Sequence, residues 1–154
     1  MLTKLEREQI NEEKKLYPYP EAVCIDALKI VQKQRGWISD EAIQDIAGEL
    51  NMSADEVDGI ATFYTRIYRQ PVGRNIILIC EGISCMVMGY ENLYRYISRK
   101  LGIFFGETTG DGRFTLLPVS CLGDCDHAPA MMVNEDHYGN LTLSRIDAIL
   151  EKYE

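Results

Sequence analysis

A chain of 154 residues with 46% hydrophobic content holds enough apolar material for one good domain or two small ones. A net charge of −8 and a pI of about 4.8 disfavour binding to nucleic acid or anionic lipid through charge, and no stretch approaches the roughly 20 apolar residues that span a bilayer. The first eight residues lack the apolar run of a signal peptide, so the expected setting is a reducing compartment, where paired cysteines serve as metal ligands rather than disulfides.

Up to about residue 70 the chain shows helical periodicity and no clustered chemistry. Residues 5–16 form a charged amphipathic stretch that ends at Pro18 and Pro20, which cannot continue a helix. A second helix is expected from about Glu21 to Gly36, with Val23, Ala27, Ile30 and Val31 on one face. Ser39 is a good N-cap for a third, which carries Ala42, Ile43, Ile46, Ala47 and Leu50 at i, i+3, i+4 spacing. Ser53 and Glu56 make a capping box for a fourth, through Val57, Ile60 and Ala61. These four helices predict a small bundle.

Beyond Gly73 the periodicity changes. Residues 76–80 read as a buried strand, followed by a cysteine loop and a helix over residues 89–101 with Leu93, Tyr94, Ile97 and Leu101 as its stripe. The Gly110-Asp111-Gly112 turn precedes a strand over residues 114–119. After a second cysteine loop, residues 130–133 and 137–141 suggest a hairpin around Asn134-Glu135-Asp136. A last helix, capped at Thr142 or Ser144, presents Ile146, Ile149, Leu150 and Tyr153. The fold class is α+β: a helical domain over residues 1–72 and a small sheet with helices against it over residues 73–154.

The chemistry is concentrated in four of the five cysteines. Cys80 and Cys85 enclose four residues, Cys121 and Cys125 enclose three, and 35 residues separate the pairs. Each pair follows an apolar run, so the thiols leave the ends of two strands on loops, where backbone N–H groups are free to face a metal. Four thiolates suit a structural zinc or an iron–sulfur cluster of either nuclearity, whereas dithiol redox chemistry prefers C-x-x-C, which is absent. Gly82, Ser84, Gly123 and Ala128 would let amides approach inorganic sulfide, while Met86, Val87, Met88, Leu122, Pro129 and Met131 would cover the site against water. Glu81, Asp124 and Asp126 flank the ligands, and their charge lowers the potential expected of a cluster there.

The segments Cys80-Glu81-Gly82-Ile83-Ser84-Cys85-Met86-Val87-Met88-Gly89 and Val119-Ser120-Cys121-Leu122-Gly123-Asp124-Cys125-Asp126-His127-Ala128-Pro129 closely resemble the thioredoxin-like [2Fe–2S] subunits of bacterial respiratory complex I. The resemblance extends through Gly59-Ile60-Ala61-Thr62-Phe63-Tyr64, Arg69-Gln70-Pro71-Val72-Gly73-Arg74 and residues 108–118, and covers nearly the whole chain. It implies a thioredoxin-like domain in which Cys80, Cys85, Cys121 and Cys125 hold one [2Fe–2S] cluster, with the helical half docking onto partners. The implied function is electron transfer within NADH:quinone oxidoreductase. The implied partners are the subunit that binds flavin (FMN) and NADH and the large iron–sulfur subunit, in a cytoplasmic assembly peripheral to the inner membrane. This chain itself would bind neither nicotinamide nor quinone, and it has no G-x-G-x-x-G motif. The competing readings are the similar subunit of a soluble NAD-linked hydrogenase or formate dehydrogenase, a free ferredoxin-like shuttle, and a zinc-stabilised interaction module.

Other residues invite blander readings. Cys24 reads as a buried thiol acting as a small apolar residue. His127 reads as a loop residue with a hydrogen-bonding role, and His137 as a hairpin surface residue. Phe63, Tyr64 and Tyr68 read as core before contact surface, and the glutamates of the first helix as a solvated face.

Overall fold

The computed structural model describes residues 1–153, and the chain divides into two compact units, Met1–Pro71 and Val72–Glu154. The first is all helical: α1 (Lys4–Lys14), α2 (Cys24–Arg35), α3 (Asp40–Leu50) and α4 (Ala54–Phe63). The second follows the order β1 (Asn75–Cys80), α5 (Ile83–Val87), α6 (Tyr90–Leu101), β2 (Phe114–Val119), β3 (Met131–Val133), β4 (Asp136–Tyr138) and α7 (Leu143–Leu150).

Two of the caps read from the sequence are in place, while Thr142, at the N-cap position of the last helix, makes no side-chain capping bond. Ser39 accepts from the Ala42 N–H, and Ser53 and Glu56 form the reciprocal box that opens α4. A third cap, unforeseen, is Thr3, which makes the same box with Glu6 at the start of α1. The second helix begins later than expected. Residues Pro20–Val23 form a 3-10 turn, and α2 starts at Cys24. Proline supplies the first turn without needing a donor, but Tyr19 before it lends no side-chain cap.

Ile10, Val23, Leu28, Ile38, Ile46 and Leu50 are fully buried in one core that joins these helices. Each such side chain contributes about 1.5–3 kcal/mol of transfer free energy. Arg69 reaches Asp40 at 2.6 Å and Asp58 at 2.7 Å, tying the first turn of α3 to α4.

In the second unit the sheet order is β2-β1-β3-β4. Strands β1 and β2 run parallel from Asn75↔Phe114 to Cys80↔Val119. Strand β3 lies antiparallel on the other side of β1, and β4 pairs with β3 as a hairpin. Residues two apart share a face, so Ile77, Ile79, Phe114, Leu116, Met131 and Val133 all enter one core with α6 and α7. The hairpin turns at Asn134, in the left-handed region at φ 56°, whose side chain also accepts from the Ile76 N–H at 2.9 Å. Strand β4 ends at Tyr138 rather than near Leu141, because the next N–H groups are committed elsewhere: Asn140 and Leu141 donate to His127 and Pro129.

Glu6 is 1% exposed and takes two hydrogen bonds from Arg35, both at 2.7 Å. Those bonds, opposed by burial, hold its carboxyl down at about 2 from an ordinary 4.5. The pair therefore contributes fully above pH 4.5, and its contribution is lost as pH falls toward 2. Glu6→Ala is expected to cost about 2–3 kcal/mol at neutral pH, less than the usual 3–5 for a fully enclosed pair because Arg35 retains some contact with water. The gap in urea midpoint between wild type and variant should close between pH 4.5 and 2; a gap unchanged over that range would contradict the assignment.

Candidate metal centre

The parallel register of β1 and β2 decides where the cysteines meet. Cys80 is the last residue of β1 and faces Val119, so Cys121 emerges just beyond the same end of the sheet. Pairing continues past Cys80 on both sides: its own N–H donates to Ala130 at 3.1 Å, and the Glu81 N–H donates to Val119 at 2.9 Å. Cys85 does not lie on a loop as expected. Gly82 opens a short helix, with the Met86 N–H donating to the Gly82 carbonyl at 2.9 Å, and α5 carries Cys85 inward. Cys125 likewise starts a 3-10 turn, Cys125–His127.

The four thiols fall into an inner and an outer pair. Cys80 and Cys85 are buried with Ala128 and Ala130, while Cys121 and Cys125 are exposed. Burial pushes the Cys80 thiol up. The N–H groups of Gly82 and Leu122, with the neighbouring sulfurs of Cys85 and Cys121, outweigh that effect, and the net shift is downward. Cys85 is pushed up to about 11, chiefly by burial and further by the Cys80 sulfur, with the Ala130 N–H opposing. Gly123, at φ 77°, turns its N–H onto the Cys121 sulfur at 3.3 Å.

Such donors stabilise thiolate and are the groups that tune a metal–sulfur centre. A Cβ on Gly82 would lie 3.4 Å from the Cys80 sulfur and 3.9 Å from that of Cys121, so the backbone itself lines the space between the pairs. Among the described residues no three His, Cys, Asp or Glu side chains are grouped as the shell of a single ion. The Cys80 thiol is influenced by those of both Cys85 and Cys121. The chemistry of a four-thiol donor set suits a metal–sulfur centre.

Two of the acids beside the ligands, Glu81 and Asp124, are partnered. Glu81 accepts a 2.5 Å hydrogen bond from Tyr90, whose hydroxyl is pushed up by burial and then by that carboxylate. Asp124 contacts His127 Nδ1 at 2.5 Å through one oxygen and His137 Nδ1 at 3.5 Å through the other. Asp124 raises the affinity of His127 for its proton above the ordinary value. His137 is thus more than a hairpin surface residue: it faces the second cysteine loop.

The expected apolar cover is only partly present. Leu122 packs beside the inner thiols and Pro129 is buried, but Met131 belongs to the core with α6 and α7, and Met86, Val87 and Met88 are 55%, 79% and 60% exposed. Ile83, at 83%, joins them on the outer side of α5. A five-residue helix that turns Cys85 inward has no second face to bury.

Away from the cysteines, Cys24 is buried in the helical unit, and burial pushes its thiol up to about 11. Phe63 and Tyr64 are not core. They are 77% and 42% exposed and line an open groove with Met52, Glu56, Gly59 and Ile60. Among the described residues no helix is long and apolar enough to cross a membrane.

Comparison with known proteins bears directly on this centre. Residues 10–154 match the family described as thioredoxin-like [2Fe-2S] ferredoxin. The chain is 49% identical over 153 residues to the E subunit of NADH-quinone oxidoreductase from Pseudomonas aeruginosa, covering 99% of this chain and 92% of that one. It is 50% identical, with the same coverage, to the corresponding protein of Escherichia coli. Among solved structures, an air-oxidized NAD+-reducing [NiFe]-hydrogenase aligns with a TM-score of 0.72 at 24% identity, over 85% of this chain and 22% of the hydrogenase chain, a likeness of fold. The chain belongs to the thioredoxin-like [2Fe–2S] ferredoxin family, among the E subunits of NADH-quinone oxidoreductase.

Proposed function

We propose that Cys80, Cys85, Cys121 and Cys125 hold one [2Fe–2S] cluster, and that the chain is the electron-transfer subunit that carries it within NADH:quinone oxidoreductase. When bound, such a cluster supplies a one-electron couple at a fixed position. The observation that carries the reading is the meeting of both cysteine pairs at one end of the sheet, with backbone N–H groups aimed at their sulfurs. The residues do three things. The thiols bind, and that of Cys80 is held below its ordinary affinity for a proton. The N–H groups of Gly82, Leu122 and Gly123 offset negative charge without bringing a proton to the site. Pairing on both sides of Cys80 fixes the geometry, so little rearrangement accompanies a change of charge.

The partners proposed are the subunit that binds flavin and NADH and the large iron–sulfur subunit. Through them the chain is held on the cytoplasmic side of the inner membrane. The exposed apolar side of α5 supports docking next to the centre, since Ile83, Val87 and Met88 form a kind of surface that a free protein seldom presents to water. The helical unit is proposed as the second docking element, and it has a closed core of its own. The hydrogenase reading is less well supported, because identity there is 24% against about half in the E subunits.

Anaerobically purified protein should be red-brown, with about two irons and two sulfides per chain. Alanine at any of the four cysteines should abolish or alter the spectrum, while Cys24→Ser should leave it intact. Colourless protein with stoichiometric zinc, or an unchanged spectrum in one of the four alanine variants, would defeat the assignment. Glu81→Gln should raise the midpoint potential by at most about 80 mV, the worth of one charge at about 9 Å in an effective dielectric of about 20. A redox titration followed by EPR reads this directly, and a lowered potential would contradict it. Deleting residues 1–68 should leave a fragment that retains its cluster spectrum but binds the flavoprotein subunit much more weakly, because a standard interface needs about 800 Å² from each side. Equal pull-down of fragment and full chain would remove the docking role.

A further inference from the structure

The loop that carries Cys121 and Cys125 has little to hold it by packing, since Cys121, Gly123 and Cys125 are all exposed. It is gripped instead from the turn between β4 and α7. The Asn140 N–H donates to the His127 carbonyl at 2.5 Å and the Leu141 N–H to Pro129 at 3.1 Å. Arg145 of α7 donates to the Gly139 and Asn140 carbonyls at 2.9 and 3.0 Å, fixing the turn to its own helix.

At the centre of the grip is Gly139. A Cβ there would stand 2.6 Å from His127 Cβ, 2.8 Å from Asp124 Oδ2 and 3.0 Å from the His127 carbonyl. The same Asp124 oxygen lies 3.5 Å from His137 Nδ1 on β4. The turn and the ligand loop are therefore in contact through a place where no side chain fits.

We propose that Gly139, together with the Asp124–His137 contact, is the positioning element that sets how closely the second cysteine loop approaches the sulfurs, and thereby the potential of the metal centre. The inference rests on the reading of the four cysteines as cluster ligands. Leu122, whose N–H faces the Cys80 sulfur at the end of β1, belongs to this loop and moves with it, whereas the Gly123 bond to Cys121 stays within the loop. Donors to thiolate favour the more negative, reduced state, so drawing them away lowers the potential.

The test is a redox titration of the full chain followed by EPR, with iron and sulfide counted in each sample. Gly139→Ala is expected to lower the midpoint potential, Gly139→Val to lower it further, and His137→Ala to lower it with normal iron and sulfide. Two controls should keep the wild-type potential: Gly110→Ala, where a Cβ meets nothing within 4 Å, and Ile149→Val, which loosens the α7 core without touching the loop. A Gly139 variant that loses its cluster, with His137→Ala lowered, agrees with the proposal. Wild-type potentials in both Gly139→Ala and His137→Ala would overturn it, as would loss of the cluster at Gly139 with an unshifted His137→Ala. Wild-type protein without iron would overturn the ligand reading itself, a failure distinct from either.

Discussion

Everything at the metal centre depends on the in-register parallel pairing of β1 with β2. Parallel strands need a long crossover, here built from α5 and α6, so two segments far apart in sequence end at the same edge of the sheet. The pairing of Cys80 with Val119 then leaves Cys121 two residues beyond the strand end. A slip of one residue would turn Cys80 to the opposite face and take Ile77 and Ile79, which are fully buried, out of the core with α6 and α7. The core thus fixes the register, and the register fixes the site. Strand β3 completes the frame from the other side, where Ala130 accepts from Cys80 and donates toward Cys85.

The electrostatics follow from that frame. Burying two thiols opposes the thiolate form, and the opposition is met in different ways at the two positions. Cys80 sits where two backbone donors converge and its affinity for a proton falls, while Cys85 has one donor and a sulfur neighbour and its affinity rises. Negative charge is therefore better accommodated at the strand end than at Cys85. Of the carboxylates nearby, Glu81 accepts a hydrogen bond from Tyr90 and Asp124 lies against the two histidines.

Much of this was legible in the sequence, for identifiable reasons. Ser39 and Ser53 announce helix starts because a hydroxyl before an apolar stripe has a local job, needing nothing from elsewhere in the chain. The buried stripe of α3 follows from periodicity alone, as do Leu93 and Ile97 of α6, where Tyr94 and Leu101 are only half-buried. The four cysteines could be singled out by spacing, although spacing alone left zinc and iron–sulfur both open. What escaped was of two kinds. Short elements such as α5 and the truncated β4 have too few residues to show a period, and β4 is ended by hydrogen bonds to a distant loop. Direction also escaped: Met86, Val87 and Phe63 are apolar, and composition implies burial when nothing shows which way a side chain points. The roles of His137 and Gly139 arise only when the turn after β4 meets the second cysteine loop, a contact with no local signature.

The misplaced apolar residues carry the most weight for function. Both units have closed cores, so neither needs these side chains for its own packing. Scattered exposed apolar residues are ordinary, but Ile83, Met86, Val87 and Met88 occur together on the element that holds Cys85. A free electron shuttle must part from its partners quickly, and a concentrated apolar surface around its redox centre works against that release. A permanent subunit has the opposite requirement: water has to be excluded around the centre, and a neighbouring chain can do this more completely than five residues of helix. Leaving α5 uncovered is a defect in an isolated ferredoxin and an advantage in a chain that functions inside an assembly. The same division explains why the short helix turns a cysteine inward and leaves its apolar residues outward, with no polar face of its own.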